Sequence, residues 1–236
     1  MDDEDLKRFS RQIVLPQIGL SGQKKLLNSK VLICGAGGLG SSALLHLAGA
    51  GVGEIGIVDF DIVDISNIHR QIIHNQDDVG KLKVISAKEK IELINQKTRV
   101  NIFSKKLIPE NIESIFSDYD LIVDGLDNFK DKFLINDTCV KLNKKFIHAG
   151  VLGLEGQVMS VDPLTTVNLR SLFPEGIIDQ RTSCREIGVL GTCVGIISTI
   201  QAHEAIKILT GIGMPLYNRL LKFDGINTVF KEVKLN

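Results

Sequence analysis

The chain has 236 residues, 44% of them hydrophobic, with 28 Lys plus Arg against 28 Asp plus Glu and a formal net charge of zero. That length and apolar content fill the core of one α/β domain spanning 1–236 without disulfide support, and the balanced charge leaves no basic surplus for nucleic acid or an anionic membrane. The polar N-terminus MDDEDLKRFSRQ lacks a secretory leader's apolar core, and Cys34, Cys139, Cys184 and Cys193 make no CxxC spacing, so a cytoplasmic protein with free thiols and no cysteine-built zinc site is expected.

Residues 1–29 read as a helical arm and 30–150 as a nucleotide-binding α/β core. Lys30 to Cys34 is an apolar strand, followed by the glycine turn GAGGLG, an Ala/Leu-rich helix and a second strand from Ile55 to Asp59. Gly35, Gly37, Gly38 and Gly40 let backbone N–H groups approach phosphate oxygens, and the helix aims its partly positive N-terminus at the same place. Asp59 lies 19 residues beyond Gly40, about where a βαβ unit puts the carboxylate that accepts a ribose hydroxyl. Alone, these features specify a nucleotide, with NAD the commonest reading and an NAD(P)-dependent oxidoreductase the corresponding function.

The residues that follow argue for ATP. Asp61 is succeeded by Ser66-Asn67-Ile68-His69-Arg70-Gln71, where Asn67 and Arg70, one helical turn apart, face a triphosphate from one side. Lys83 opens the next helix and adds a second positive charge; the plain alternative is that Arg70 and Lys83 are solvated surface residues. Gly80 to Asn95 carries Val84, Ala87, Ile91 and Ile94 on one helical stripe. Strands at Val100 to Ser104, Asp120 to Asp124 and Lys145 to His148 continue the alternation, which predicts a parallel sheet with helices on both faces. The fourth strand closes on Asp124-Gly125-Leu126-Asp127-Asn128 at the carboxyl edge where ligands bind such sheets. Asp127 is placed to hold Mg²⁺ and Asn128 to touch the nucleotide, although Asp127 also stands where a helix cap belongs. The helix from Lys130 to Leu142 shows Phe133, Leu134, Asp137 and Val140 on its expected inner stripe.

Beyond Gly156 the pattern changes. Gln157 to Asp162, Arg219 to Asp224 and Thr228 to Val233 are strands, the last two joined only by Gly225-Ile226-Asn227, which predicts an antiparallel extension of the sheet. Residues 163–191 have few periodic signals and read as a long loop crossing the surface. In the terminal part, 192–236, the apolar stretch Val189 to Gly213 suits a buried helix with Gln201, His203, Glu204 and Lys207 on one wet face, and not a membrane span. His69, His74, His148 and His203 stand singly, with no ligand spacing, and read as packed or exposed histidines.

Taken together, Arg11-Gln12, GAGGLG, GVGEIGIVDFD, SNIHRQ, VGKLK, DGLDN and GTCVGIISTIQAHEAIKIL closely resemble the ThiF/MoeB/HesA family of ubiquitin-activating-type adenylyltransferases across nearly the whole chain. The resemblance implies binding of ATP and Mg²⁺ and adenylation of the C-terminal Gly-Gly carboxylate of a small ubiquitin-like sulfur carrier, for thiamine or molybdopterin-type sulfur transfer. It implies that Gly38 and its neighbours contact the nucleotide, Asp59 its ribose, and Asn67, Arg70 and Lys83 its phosphates, while Asp127 holds the metal. Arg11 matches the arginine that reaches a neighbouring subunit's site, which implies a homodimer, and a sulfurtransferase or cysteine desulfurase is the implied downstream partner. Cys184 matches a loop cysteine that takes over the activated carrier in some members; a plain loop thiol is the alternative. Relatives with a structural zinc use two CxxC pairs, but Asn168 and Ser171 stand at the first pair's positions and no second pair precedes Asn236, so no zinc is expected. This departure also fits a variant that adenylates a peptide C-terminus for a modification or antibiotic pathway.

Overall fold

The computed structural model describes residues 1–173 and 188–235. Three short helices come first, α1 (Asp3–Arg8), α2 (Ser10–Ile13) and α3 (Gly19–Asn28); then the alternating core β1 (Lys30–Cys34), α4 (Gly38–Ala50), β2 (Glu54–Val58), α5 (Lys83–Ile94), β3 (Arg99–Phe103), α6 (Pro109–Phe116), β4 (Leu121–Asp124), α7 (Phe129–Leu142) and β5 (Lys145–Leu152). After β6 (Glu155–Val161) come α8 (Leu169–Leu172), α9 (Gly191–Thr210), β7 (Arg219–Asp224) and β8 (Val229–Lys234). The expected strands therefore lie within a residue or two of those observed, apart from β5, which runs on to Leu152. The segment expected as loop from Pro163 contains the single turn α8, capped by Asn168, whose side chain accepts from the Arg170 N–H.

All eight strands form one sheet in the order β3-β2-β1-β4-β5-β6-β7-β8. β1 to β5 are parallel, and β6, β7 and β8 are added antiparallel. Strand order reverses at β1, which has β2 on one side and β4 on the other, so the connections leaving β1 and β4 diverge and open a crevice at their carboxyl ends. Alternate strand residues feed two cores. Val31, Ile33, Ile55, Ile57, Leu121 and Val123 join α3, α4, α5 and α9 on one face. Leu32, Cys34, Val58 and Ile122 join α6, α7 and α8 on the other.

Two helix faces differ from expectation, for one physical reason. In α7 the buried residues are Lys132, Ile135, Asn136, Thr138 and Cys139, while Val140 and Asp137 are exposed. In α9 Gln201 and Glu204 face inward, and only His203 of the four expected wet-face residues is fully exposed. Both inward residues find partners, although the Gln201 Oε1 has none among the described residues. Gln201 Nε2 donates to the Asp124 carbonyl at 2.8 Å, and Glu204 Oε2 accepts from Ser160 Oγ at 2.7 Å and from the Leu216 N–H at 2.6 Å. Hydropathy reads such residues as outward because it cannot see the partner that offsets their desolvation. On α5, Val84, Ala87 and Ile91 are buried as expected, and Ile94 emerges at the helix end. Among the described residues no helix is long and apolar enough to cross a membrane.

Candidate active site

The crevice at the reversal point is lined by backbone before it is lined by side chains. Gly35 follows β1 directly at φ +98°, and the Gly125 backbone lies against it, so a Cβ on Gly125 would come 2.9 Å from the Cys34 carbonyl oxygen. A Cβ on Gly40 would sit 1.9 Å from the Gly35 oxygen; that glycine is what lets α4 start directly against the strand end. Gly37 caps α4 without any side-chain hydrogen bond, which leaves the first-turn N–H groups of a 13-residue helix available to an anion.

Asp59, just past β2, holds this turn from below. Its Oδ2 accepts from the Ala36 N–H and its Oδ1 from the Asp61 N–H, each at 2.8 Å. Burial outweighs those bonds and the nearby Lys83 charge, and holds the Asp59 carboxyl above its ordinary value. A carboxylate has about four acceptor positions, so two remain for hydroxyl groups.

The cations stand on the same side. Lys83 at the start of α5 is buried, and its Nζ bonds Asp61 Oδ2 at 2.9 Å. Arg70 is half-buried; its guanidinium donates to the Ser66 carbonyl at 2.9 Å and meets His69 Nε2 at 2.8 Å. Its stem comes within 3.8 Å of where a Gly38 Cβ would be, which puts Arg70 beside the N-terminus of α4. Ser66 and Asn67 form a short turn in which Asn67 Oδ1 accepts from the Asp64 N–H at 3.2 Å.

Across the crevice, the turn after β4 separates two roles that the sequence left together. Asn128 is the cap of α7, its Oδ1 accepting from the Asp131 N–H at 2.9 Å and its Nδ2 donating to Asp131 Oδ2 at 3.0 Å. Asp127 is exposed and makes no hydrogen bond or ion pair with the described residues. Beneath the turn lies a buried cluster. Asp124 Oδ2 accepts from Lys132 Nζ at 2.9 Å and from His148 Nδ1 at 3.0 Å, and its Oδ1 accepts from the Leu126 N–H at 3.1 Å. Burial pushes Asp124 up, but Lys132 and His148 together hold it below the ordinary carboxylate value; burial also pushes His148 down, so its ring stays neutral near pH 7.

Arg11 is not part of this assembly. It is exposed on α2, and its neighbour Gln12 donates to the Ala50 carbonyl at the far end of α4, about 20 Å along that helix from the glycine turn. Cys184 lies outside the described residues. Two residues given no site role by the sequence reading belong here. Gln71 is buried beside Gly37 with its Oε1 unpartnered among the described residues, and His74 hydrogen-bonds the glycine turn from beneath. Nothing in the sequence singled out His74, since a lone histidine carries no periodic or spacing signal. Gln71 carried a weak one as the end of SNIHRQ.

A family model described as the ThiF family matches residues 9–236. The chain belongs to the ThiF family. Among curated ThiF-family relatives it is 43% identical over 241 residues to the probable adenylyltransferase/sulfurtransferase MoeZ of Mycobacterium tuberculosis, covering 98% of this chain and 60% of that protein. It is 41% identical to the adenylyltransferase and sulfurtransferase MOCS3 of Culex quinquefasciatus, covering 100% of this chain and 54% of that one. The probable molybdopterin-synthase adenylyltransferase of Porphyra purpurea is 42% identical, with 98% and 61% covered. The chain thus spans little more than half the length of these relatives. Among solved structures, Escherichia coli MccB with ATP superposes at a TM-score of 0.85 with 22% identity, covering 97% of this chain and 72% of MccB. That likeness establishes the fold.

Proposed function

We propose that this ThiF-family chain is an ATP-dependent adenylyltransferase that activates the C-terminal Gly-Gly carboxylate of a ubiquitin-like sulfur carrier, releasing pyrophosphate. The observation that carries the reading is the convergence on one crevice of an uncapped helix N-terminus, Arg70, Lys83 and an uncommitted carboxylate, Asp127. A dinucleotide with two phosphates gives Arg70, Lys83 and Asp127 no evident work; a triphosphate needs all three. The unpartnered Oε1 of buried Gln71 beside Gly37 also fits an occupant that brings its own donors, such as the hydroxyls or amino group of a nucleotide.

Joining a carboxylate to the α-phosphorus brings anions together, so catalysis is chiefly alignment and charge neutralisation. In this reading Gly35, Gly37, Gly38 and Gly40 shape the phosphate-facing turn, Asp59 holds the ribose, Asp61 keeps Lys83 oriented, and Ser66 and Asn67 form the turn that presents Arg70. Asn128 fixes the start of α7. The carrier carboxylate displaces pyrophosphate: its oxygen bonds to the α-phosphorus as the bond to the bridging oxygen breaks, leaving acyl-AMP. Asp127 is the residue that would hold Mg²⁺, an ion whose chemistry is to neutralise phosphate charge when bound. An exposed, unpaired carboxylate at a carboxyl strand edge suits such a hard cation.

Arg11 lies too far from its own crevice to act there, so a second copy is the source of that arginine in this reading; a sedimenting mass of one chain would remove the role. The curated relatives, two of them named for sulfurtransferase activity and one for molybdopterin synthase, favour a carrier protein over a free peptide as substrate. Cys184 and a separate sulfurtransferase or cysteine desulfurase are candidates for consuming the acyl-adenylate. ATP–pyrophosphate exchange tests the proposal: it is expected with a molybdopterin-synthase-type or thiamine-type carrier ending in Gly-Gly and lost when those two residues are removed. Exchange indifferent to that truncation, or driven only by short peptides, would contradict it.

A further inference from the structure

We infer that His74 is a positioning residue for the nucleotide, setting the direction of the glycine turn's N–H groups through the Ala36 carbonyl. The inference rests on the crevice binding ATP, as proposed above, but not on the identity of the carboxylate it activates.

His74 is 3% exposed, and its ring bridges two groups: Nε2 lies 2.9 Å from the Ala36 carbonyl oxygen and Nδ1 2.8 Å from Ser86 Oγ. A carbonyl only accepts, so Nε2 carries the proton, and in the neutral ring Nδ1 accepts from the Ser86 hydroxyl. The neutral ring is the one the surroundings favour, because burial pushes the His74 pKa down and the Lys83 and Lys90 charges add to this, against the Ala36 hydrogen bond and Asp78. Ser86 is itself fully buried on α5, so the chain of bonds is anchored in a helix that packs on the sheet.

The turn is thereby gripped from both sides of one residue. The Ala36 N–H donates to Asp59 and the Ala36 carbonyl accepts from His74, which fixes both peptide planes flanking that residue. A trans peptide points its C=O and N–H in opposite directions. With the Ala36 oxygen turned toward His74, the Gly37 N–H is turned away from it, and neither Gly37, Gly38 nor Leu39 donates its N–H within the described residues. Gly37 follows this peptide and, lacking a Cβ, puts little restraint on its side of the plane, so hydrogen bonds are what hold the orientation. Without His74 the Ala36 oxygen would be a buried acceptor with no donor, and the plane would turn to find one.

Calorimetry with a non-hydrolysable ATP analogue and Mg²⁺, without carrier, tests the inference. His74→Phe, which keeps a flat ring but no donor, is expected to weaken nucleotide binding about tenfold, the scale of one buried hydrogen bond. His74→Gln, whose Nε2 can reach the same carbonyl, is expected to return to within about threefold of wild type. Ile112→Val, on the inner face of α6 in the opposite core, serves as a control for lowered stability and should leave the affinity unchanged. At saturating nucleotide the adenylation rate of His74→Phe should stay near wild type, so the effect falls on KM and not on kcat. Wild-type affinity in His74→Phe would overturn the inference; should that variant not fold, wild-type affinity in Ser86→Ala, expected to bind about threefold more weakly, would do the same. A wild-type protein that binds the nucleotide but adenylates no carrier would remove the carrier reading and leave this inference standing, whereas no nucleotide binding at all would overturn both.

Discussion

Asp127→Ala is expected to lower ATP–pyrophosphate exchange by about 10³-fold or more, the scale seen when one group that neutralises developing charge is removed from an active site. The same substitution is expected to leave the melting temperature almost unchanged. Both halves follow from the turn after β4. Asn128, not Asp127, makes the capping bonds to α7, so the Asp127 carboxylate holds nothing among the described residues. A side chain that is exposed and unbonded, yet placed at the carboxyl edge of the reversal crevice, is one whose removal is felt by a ligand and not by the protein. Asn128→Ala should show the opposite pattern, losing about 1 kcal/mol of stability as a cap. Robust exchange by Asp127→Ala would show that its carboxylate does not serve the phosphates.

Lys132→Ala is expected to be the most damaging single change to stability among the buried polar positions, at about 3–5 kcal/mol, because it leaves the Asp124 carboxylate buried without its cation. For a chain of this size that corresponds to a melting temperature lower by about 10 °C, measurable by calorimetry or by circular dichroism. Lys132 Nζ bonds both Asp124 Oδ2 and the Ala149 carbonyl, at 2.9 and 2.7 Å, and so ties α7 to the end of β4 and the middle of β5. His148 on the other side of Asp124 is pushed down by burial in the wild-type protein, so Lys132 is the cation that pairs with the carboxylate there. The double change Lys132→Met with Asp124→Asn removes the charge imbalance and is expected to regain most of the loss. A single variant as stable as wild type would mean that Asp124 takes up a proton at little cost.

These two clusters also mark how far the sequence could be read. The strands, the glycine turn and the antiparallel extension were legible because period-2 and period-3.6 hydropathy, with glycine at a strand end, encode them locally. The inner faces of α7 and α9 were not, because Lys132, Gln201 and Glu204 are buried against partners on other elements, 8, 77 and 44 residues away in sequence, and such pairing leaves no trace in the hydropathy of the helix itself. Within the site, the order of Asp59, Asn67, Arg70, Lys83 and Asp127 along the chain suggested a phosphate cradle, and the fold brings Asp59, Arg70 and Lys83 to the glycine turn. The division of labour at Asp127-Asn128 needed coordinates, since either residue type caps a helix. His74 was invisible for a related reason: what it grips is a backbone carbonyl, which has no residue identity. Arg11 was legible only by resemblance, and the fold places it at the wrong end of α4 for its own crevice.

Titration calorimetry of the wild-type chain with ATP plus Mg²⁺, set beside the same titration with NAD, addresses the nucleotide assignment on which every role above depends. Saturable heat with ATP that diminishes when Mg²⁺ is withheld, and none with NAD, is the expected result; saturation by NAD with no heat from ATP would contradict it.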